Sequence, residues 1–270
     1  MTAGTITVGV AAHKPYEMPD DPCYLPIHVG RALHPEVVPQ LDPRFVGDDT
    51  GDSISGRNAT YCELTALWWL WRNCDSDFKG LVHYRRHLAS PDPARRGSDD
   101  RLSRVATGEE LLGLLSRHDA VLPRRRNYYI ETMRSHWDHT QPPEQLAEAE
   151  RVVADLEPGY SEALSRVLSS RGAHMFNMMV MRSDVFNAYC DWVFPLLSEL
   201  TARLDPSQYP PFQARYPGRI SELLLDTWLA VNGVTYTELS TVSPEPVDWP
   251  LKISGFLAAK FLGKRYEKSF

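Results

Sequence analysis

TITVGVAAHKPY (residues 5–16) is a short, β-branched, continuous apolar run closed by a proline. An unbroken apolar run suits a strand buried on both faces, as in a parallel sheet covered by helices. Pro15 stops its continuation. GLVHYRRHL (residues 80–88) has the same character, with Leu81 to Tyr84 reading as a second buried strand after the turn at Asp77 to Gly80. Between the two, Ser55 or Asn58 caps a helix reaching about Asn73, with Tyr61, Leu64, Trp68 and Trp71 at helical spacing. Strand, helix and parallel strand are the units of an α/β sheet. The expected fold class is therefore α/β.

Working outward, residues 17–56 are rich in Pro, Asp and Gly and read as one long irregular segment, which in a compact domain usually serves function. Residues 90–104 read as a mobile polar loop. Helices are expected at 108–117, 144–156, 160–170, 184–204 and 219–231, and strands at 119–123, 173–181 and 235–242.

The chain has 270 residues, 43% hydrophobic and 24% charged, with a net charge of −6. That is the profile of a soluble globular protein, and it argues against a general nucleic-acid binder. No run approaches the length of a spanning helix, and no charged region precedes the first apolar run, so a cytoplasmic protein is expected. Cys23, Cys62, Cys74 and Cys190 are scattered without CxxC spacing and read as reduced thiols. Phosphate-loop, dinucleotide-fold, nucleophile-elbow and zincin motifs are absent. His136 and His139 lack a third partner for a metal.

Three constellations remain. GDDTGD (residues 47–52) offers Asp48, Asp49 and Asp52 to a metal or to sugar hydroxyls, or forms a solvated turn before the helix. His83, Tyr84, Arg85 and Arg86 end a buried strand, where open α/β sheets bind ligands. Adjacent guanidinium groups there suit a phosphate or diphosphate, and Arg124, Arg125 and Arg126 follow the next strand. Glu222 and Asp226 are spaced i, i+4 on a helix that starts near Arg219. Glu222 is either a general base or a first-turn acid favoured by the helix dipole. Trp68, Trp69 and Trp71 read as core rather than as a sugar platform.

HKPY (13–16), YLPIHVG (24–30), DDTGDSISGRNATYCELTALWWLW (48–71), GLVHYRRHL (80–88), LPRRRNYYIETM (122–133), HMFNMMVM (174–181), YCDWVFPLL (189–197) and RISELLLDTWL (219–229) occur in this order. Over about residues 5–240 the chain resembles the bacterial domain-of-unknown-function family of capsular polysaccharide and exopolysaccharide biosynthesis proteins, read as GT-A-type glycosyltransferases. The resemblance implies a GT-A-like nucleotide-binding α/β sheet with additional helices forming an acceptor half. It implies a donor half at 1–123 and an acceptor-binding, catalytic half at 124–250. The activity implied is transfer from a nucleoside-diphosphate sugar, a UDP-linked hexose or galactofuranose, to a glycan, lipid-linked or small-molecule acceptor. The alternatives are a non-catalytic carbohydrate- or nucleotide-binding protein and a phosphotransferase.

On that resemblance His13, Lys14, Asp52, Arg57, Asn58, His83, Tyr84, Arg85 and Arg86 bind the donor, and Glu222 is the base of an inverting reaction. His174, Asn177, Tyr128 and His136 line the donor-sugar or acceptor pocket. Residues 83–86 fall where the family fold carries an Asp-x-Asp metal motif, yet they include no carboxylate. Either Arg85 and Arg86 neutralise the diphosphate with no metal, or Asp48, Asp49 or Asp52 holds Mn²⁺ or Mg²⁺. Four of the six lysines lie in the basic amphipathic tail at 251–270. Residues 252–268 are expected either to touch the inner face of the plasma membrane or to dock as a helix on their own domain or a dimer partner.

Overall fold

A computed structural model describes residues 4–245, so the tail at 251–270 and its membrane contact lie outside the described residues. The main sheet has strands β1 (Ile6–Ala12), β2 (Tyr24–His28), β3 (Val46–Gly47), β4 (Phe78–His83), β5 (Ala120–Pro123), β6 (Met179–Arg182) and β7 (Tyr236–Leu239), in the order β7-β5-β6-β4-β1-β2-β3. Every pairing is parallel except those of β6, which runs antiparallel to both β4 and β5. Strands from both expected halves thus share one sheet.

Buried side chains alternate across β1: Val8, Val10 and Ala12 pack on one face, with Val82 and Leu111, while Ala11 packs on the other. This is the two-sided burial expected of the apolar run. The first face is covered by α2 (Gly108–Leu115), started by a Thr107–Glu110 capping box. The second carries α1 (Leu64–Asn73), α6 (Ser183–Arg203) and α7 (Tyr216–Asn232), with α3 (Met133–Thr140), α4 (Pro143–Leu156) and α5 (Ser161–Ser169) beyond them. Among the described residues no helix is long and apolar enough to cross a membrane.

Several expectations need correcting. Residues 17–56 contain β2 and β3, although Pro26 sits inside β2. Val29 N–H donates to Ala12 O, so by alternation the nitrogen of Pro26 faces the opposite edge, where pairing with β3 begins only at Ile27. No ladder bond is lost there. Residues 90–104 are pinned rather than loose: Arg95 donates to Glu110, to Ser103 O and to Val105 O. The strand expected at 173–181 is interrupted, because Phe176 and Asn177 have φ of 80° and 50°. The last long helix begins at Tyr216 with Pro217 in its first turn, which places Glu222 in the second turn. Glu222 is therefore not a first-turn acid stabilised by the dipole.

A Cβ at Gly80 would lie 2.6 Å from Met179 O and 2.7 Å from a methyl of Val180, inside the β4–β6 pairing. Gly80→Ala is expected to destabilise the fold by about 1–3 kcal/mol, read as a lower midpoint in urea unfolding. An unchanged midpoint would mean that the β4–β6 spacing relaxes freely.

Candidate functional site

The C-terminal ends of β1 and β4 and the start of antiparallel β6 meet at one edge of the sheet, so their flanking residues share a cleft. From β1 come His13 and Lys14. Tyr84, after β4, stacks on Tyr16 with ring centroids 3.8 Å apart, and the His13 ring meets it edge-on at 5.1 Å. Lys14 lies 5.1 Å from the Tyr16 ring, and Arg85 lies 5.2 Å from that of Tyr84. Burial, then Lys14, Arg85 and Arg215, hold the His13 imidazole below its ordinary pKa.

Deeper in, His83 Nε2 donates to Phe176 O at 2.7 Å and stands 3.8 Å from Glu63 Oε1. Burial holds its pKa down and favours the neutral ring. Arg86 lies 4.2 Å from the Phe176 ring and is half-buried. Burial and then Arg126 lower its pKa. On the opposite wall Arg215 Nε donates to Cys62 Sγ at 3.0 Å, and among the described residues it makes no ion pair with a carboxylate. Arg219 is clamped to Gln141 Oε1 at 2.7 Å and to Phe212 O at 2.8 Å.

Two carboxylates occupy the floor. Glu222 is half-buried, and burial followed by the charge of Glu63 pushes its pKa up to about 8. The backbone of Phe176, Arg219 and Arg126 act in the opposite direction without cancelling that rise. Glu63 is fixed by Asn177, whose Nδ2 donates to Glu63 Oε1 at 2.7 Å and to Gly218 O at 2.9 Å, while Ser221 Oγ donates to Asn177 Oδ1 at 2.6 Å. A proton-accepting group poised near neutral pH beside several cations can deprotonate a hydroxyl while an anionic group departs.

Of the residues expected at the site, His13, Lys14, His83, Tyr84, Arg85, Arg86 and Glu222 gather at this edge. Asn177 belongs to it only as a support, since it is fully buried. His174 is also fully buried, with Nδ1 bonded to Asp226 and Nε2 to Glu238 Oε1 at 2.9 Å, so it has no atom left for a sugar. Tyr128 is buried, with its ring 4.1 Å from that of His136, whose Nδ1 bonds Glu131 Oε2 at 3.0 Å. That pair packs the loop after β5.

Asn58 spends its amide on Cys62 O and Thr65 Oγ1, at 2.7 and 3.1 Å. Arg57 lines a separate cavity of about 280 Å³ with Trp68, Trp71 and Phe194. Asp52 accepts from Trp68 Nε1 at 3.0 Å and from Arg72 Nε at 2.8 Å, on the outer side of α1. Asp48 is fully buried and accepts from Gly30 N, Arg31 N and Ser55 Oγ. Asp49 faces Arg31 at 3.6 Å. The three aspartates are thus engaged by their own loop and by α1, and among the described residues no group of three or more His, Cys, Asp or Glu is arranged to hold a metal. The tryptophans pin that loop, since Trp69 Nε1 also donates to Thr50 Oγ1 at 2.8 Å.

Reasoning from the sequence missed Glu63 and Arg215, while it placed Arg126 only within a triplet that could add to the same basic field. Glu63 carried a signal: it falls at i, i+4, i+7 with Leu67 and Leu70, both fully buried, so it is an acid on an apolar helix face. Arg215 carried none.

A family model described as a domain of unknown function, DUF4422, matches residues 7–233. No curated protein matches the chain. Among solved structures, the apo structure of the bifunctional glycosyltransferase WbbM matches with a TM-score of 0.77 at 25% identity, over 88% of this chain and 45% of that one. This chain therefore spans less than half of that structure's length. The match agrees with the GT-A-like sheet that the sequence motifs imply.

Because the folded-state pKa of Glu222 is raised, its contribution to stability is fully present below the unfolded carboxyl value near 4.5. It is lost as pH rises to about 8. Thermal midpoints should fall across that window, and Glu222→Gln should flatten the fall. An identical slope in the variant would place the raised carboxyl elsewhere.

Proposed function

The chain belongs to the DUF4422 family, and from that membership and the strand-edge cleft we propose that it is an inverting glycosyltransferase using a nucleoside-diphosphate sugar. The donor we propose is a UDP-linked hexose or galactofuranose, and the acceptor is a hydroxyl of a glycan, lipid-linked or small molecule. The likeness to a bifunctional glycosyltransferase supports sugar transfer in general. The observation that carries the reading is Glu222, a half-buried carboxyl raised to about 8 among arginines at the ligand-binding edge of an α/β sheet.

In this reading the acceptor oxygen forms a bond to the anomeric carbon from the side opposite the diphosphate. The bond from that carbon to the diphosphate oxygen breaks, and its electron pair leaves with the nucleoside diphosphate. The acceptor proton passes to ionised Glu222. Glu63 raises the basicity of Glu222 by like-charge repulsion, and Asn177 holds Glu63 in place.

Arg86, Arg126 and Arg215 neutralise the departing diphosphate. Guanidinium groups without a carboxylate partner among the described residues suit that task, and for the half-buried Arg86 and Arg215 an anion then recovers the cost of burial. A divalent ion, where bound, supplies the same neutralisation, but the Asp48, Asp49 and Asp52 carboxylates are already engaged and do not fit it. The Tyr16–Tyr84 stack, flanked by His13 and Lys14, gives the nucleobase a flat aromatic surface.

Nucleoside diphosphates should stabilise the protein in a thermal-shift assay with EDTA present, and Arg86→Ala or Arg215→Ala should each reduce the shift. The absence of a shift with every nucleoside diphosphate would overturn the reading. Glu222→Gln should keep the shift and lower transfer by about 10²–10⁴-fold; full turnover would move the base elsewhere. In the wild type kcat/KM should rise with pH and level off above about 8, with Glu63→Gln moving that limb to lower pH.

A further inference from the structure

The loop after β5 ends in the two most exposed large apolar side chains among the described residues, Tyr129 at 74% and Ile130 at 66%. They are adjacent, and the backbone beneath them is held. Tyr129 adopts a φ of 56°, an uncommon conformation for a bulky residue that persists only where its surroundings impose it. Its N–H donates to Asn127 Oδ1 at 2.7 Å, and its carbonyl accepts from Arg171 Nη1 at 3.1 Å. Tyr128 N–H donates to Arg171 O at 2.8 Å while its ring is buried below. The apex is a fixed projection carrying a phenol and a branched alkyl group into solvent.

Its surroundings are basic, against a whole-chain charge of −6. Arg124, Arg125 and Arg126 are exposed at its base, and among the described residues only Arg125 forms an ion pair with an acid, Asp226 at 3.9 Å. The nearby Glu131 is buried and bonded to His136 and His139.

We propose that the Tyr129–Ile130 apex and its arginine collar dock on an anionic lipid bilayer. An exposed aliphatic group beside a tyrosine partitions into the boundary between acyl chains and headgroups, and arginines beside it pair with acidic headgroups. Two side chains on one apex fall far short of the roughly 800 Å² per partner that a stable protein interface buries. Charge complementarity and the small apolar footprint together favour a membrane over a protein. The contact itself does not depend on the transfer reaction. Its consequence does rest on that reading: Arg126 acts electrostatically on both Glu222 and Arg86, so docking would bring the cleft to the lipid surface and favour an acceptor carried on a lipid.

The full-length protein should co-sediment with phosphatidylcholine vesicles containing 30% phosphatidylglycerol (roughly the anionic content of a bacterial membrane) and not with phosphatidylcholine alone. Tyr129→Ser combined with Ile130→Ser should weaken binding by on the order of tenfold, and Arg124→Gln by on the order of fivefold. An unchanged thermal midpoint would show that the variants remain folded. Equal binding by wild type and the double variant would overturn the proposal and assign the contact to residues 252–268. Failure of the wild type to bind would overturn it too, and would leave a protein partner for the apex. Nucleotide thermal shifts on the same samples keep either result separate from failure of the transferase reading.

Discussion

The candidate site depends on one buried side chain. Asn177 is fully enclosed, sits at a left-handed turn just before β6, and uses its amide to tie that turn to two other elements: Glu63 before α1, and Gly218 and Ser221 in α7. Two consecutive non-glycine residues with positive φ cost on the order of 1–3 kcal/mol each. Three hydrogen bonds, one of them to a carboxylate, offset that strain, since buried bonds to charged groups are the stronger class. The same contacts set the distance between the strand edge and the helix that carries Glu222.

From that anchor the electrostatics follow. Glu63 is held where its charge opposes ionisation of Glu222, and burial acts in the same direction. The guanidinium groups of Arg86 and Arg219 are partly desolvated, and Arg86 and Arg126 repel each other. Such a cleft is poorly satisfied by its own residues: among the described residues Arg86, Arg126 and Arg215 make no ion pair with a carboxylate, and one carboxyl favours its proton. A bound diphosphate and a nucleophilic hydroxyl would relieve both conditions. That is the physical link between the geometry and the proposed transfer.

Much of the fold was legible in the sequence. The apolar runs at β1 and β4, the helical spacing of Leu64, Trp68 and Trp71 in α1 and the amphipathic patterns of α4 and α5 reflect local rules of burial and periodicity, although the helix expected from Ser55 or Asn58 is broken at Cys62, whose φ is 54°. What was missed depended on context. β2 was hidden by Pro26, which is tolerated only because of the side of the strand that its nitrogen faces. The break at Phe176 and Asn177 was hidden in a run that is apolar at nearly every position, where periodicity cannot distinguish an extended strand from a turn stabilised by distant partners. Arg85 and Arg86 were evident as a pair after a strand. His174 looked like a pocket residue, but two carboxylates distant in sequence enclose it.

The sequence by itself determined the α/β class, the strand ends where open α/β sheets generally bind ligands, and the residue types near them, because these follow from hydrophobic pattern and local chain stiffness. Only the tertiary structure decided that Glu63 lies near Glu222, that Arg215 makes no carboxylate ion pair among the described residues, and that Asp48 and Asp52 are engaged by their own loop and by α1. Those outcomes depend on long-range proximity and on which partners satisfy each buried charge. A one-dimensional pattern does not carry that information.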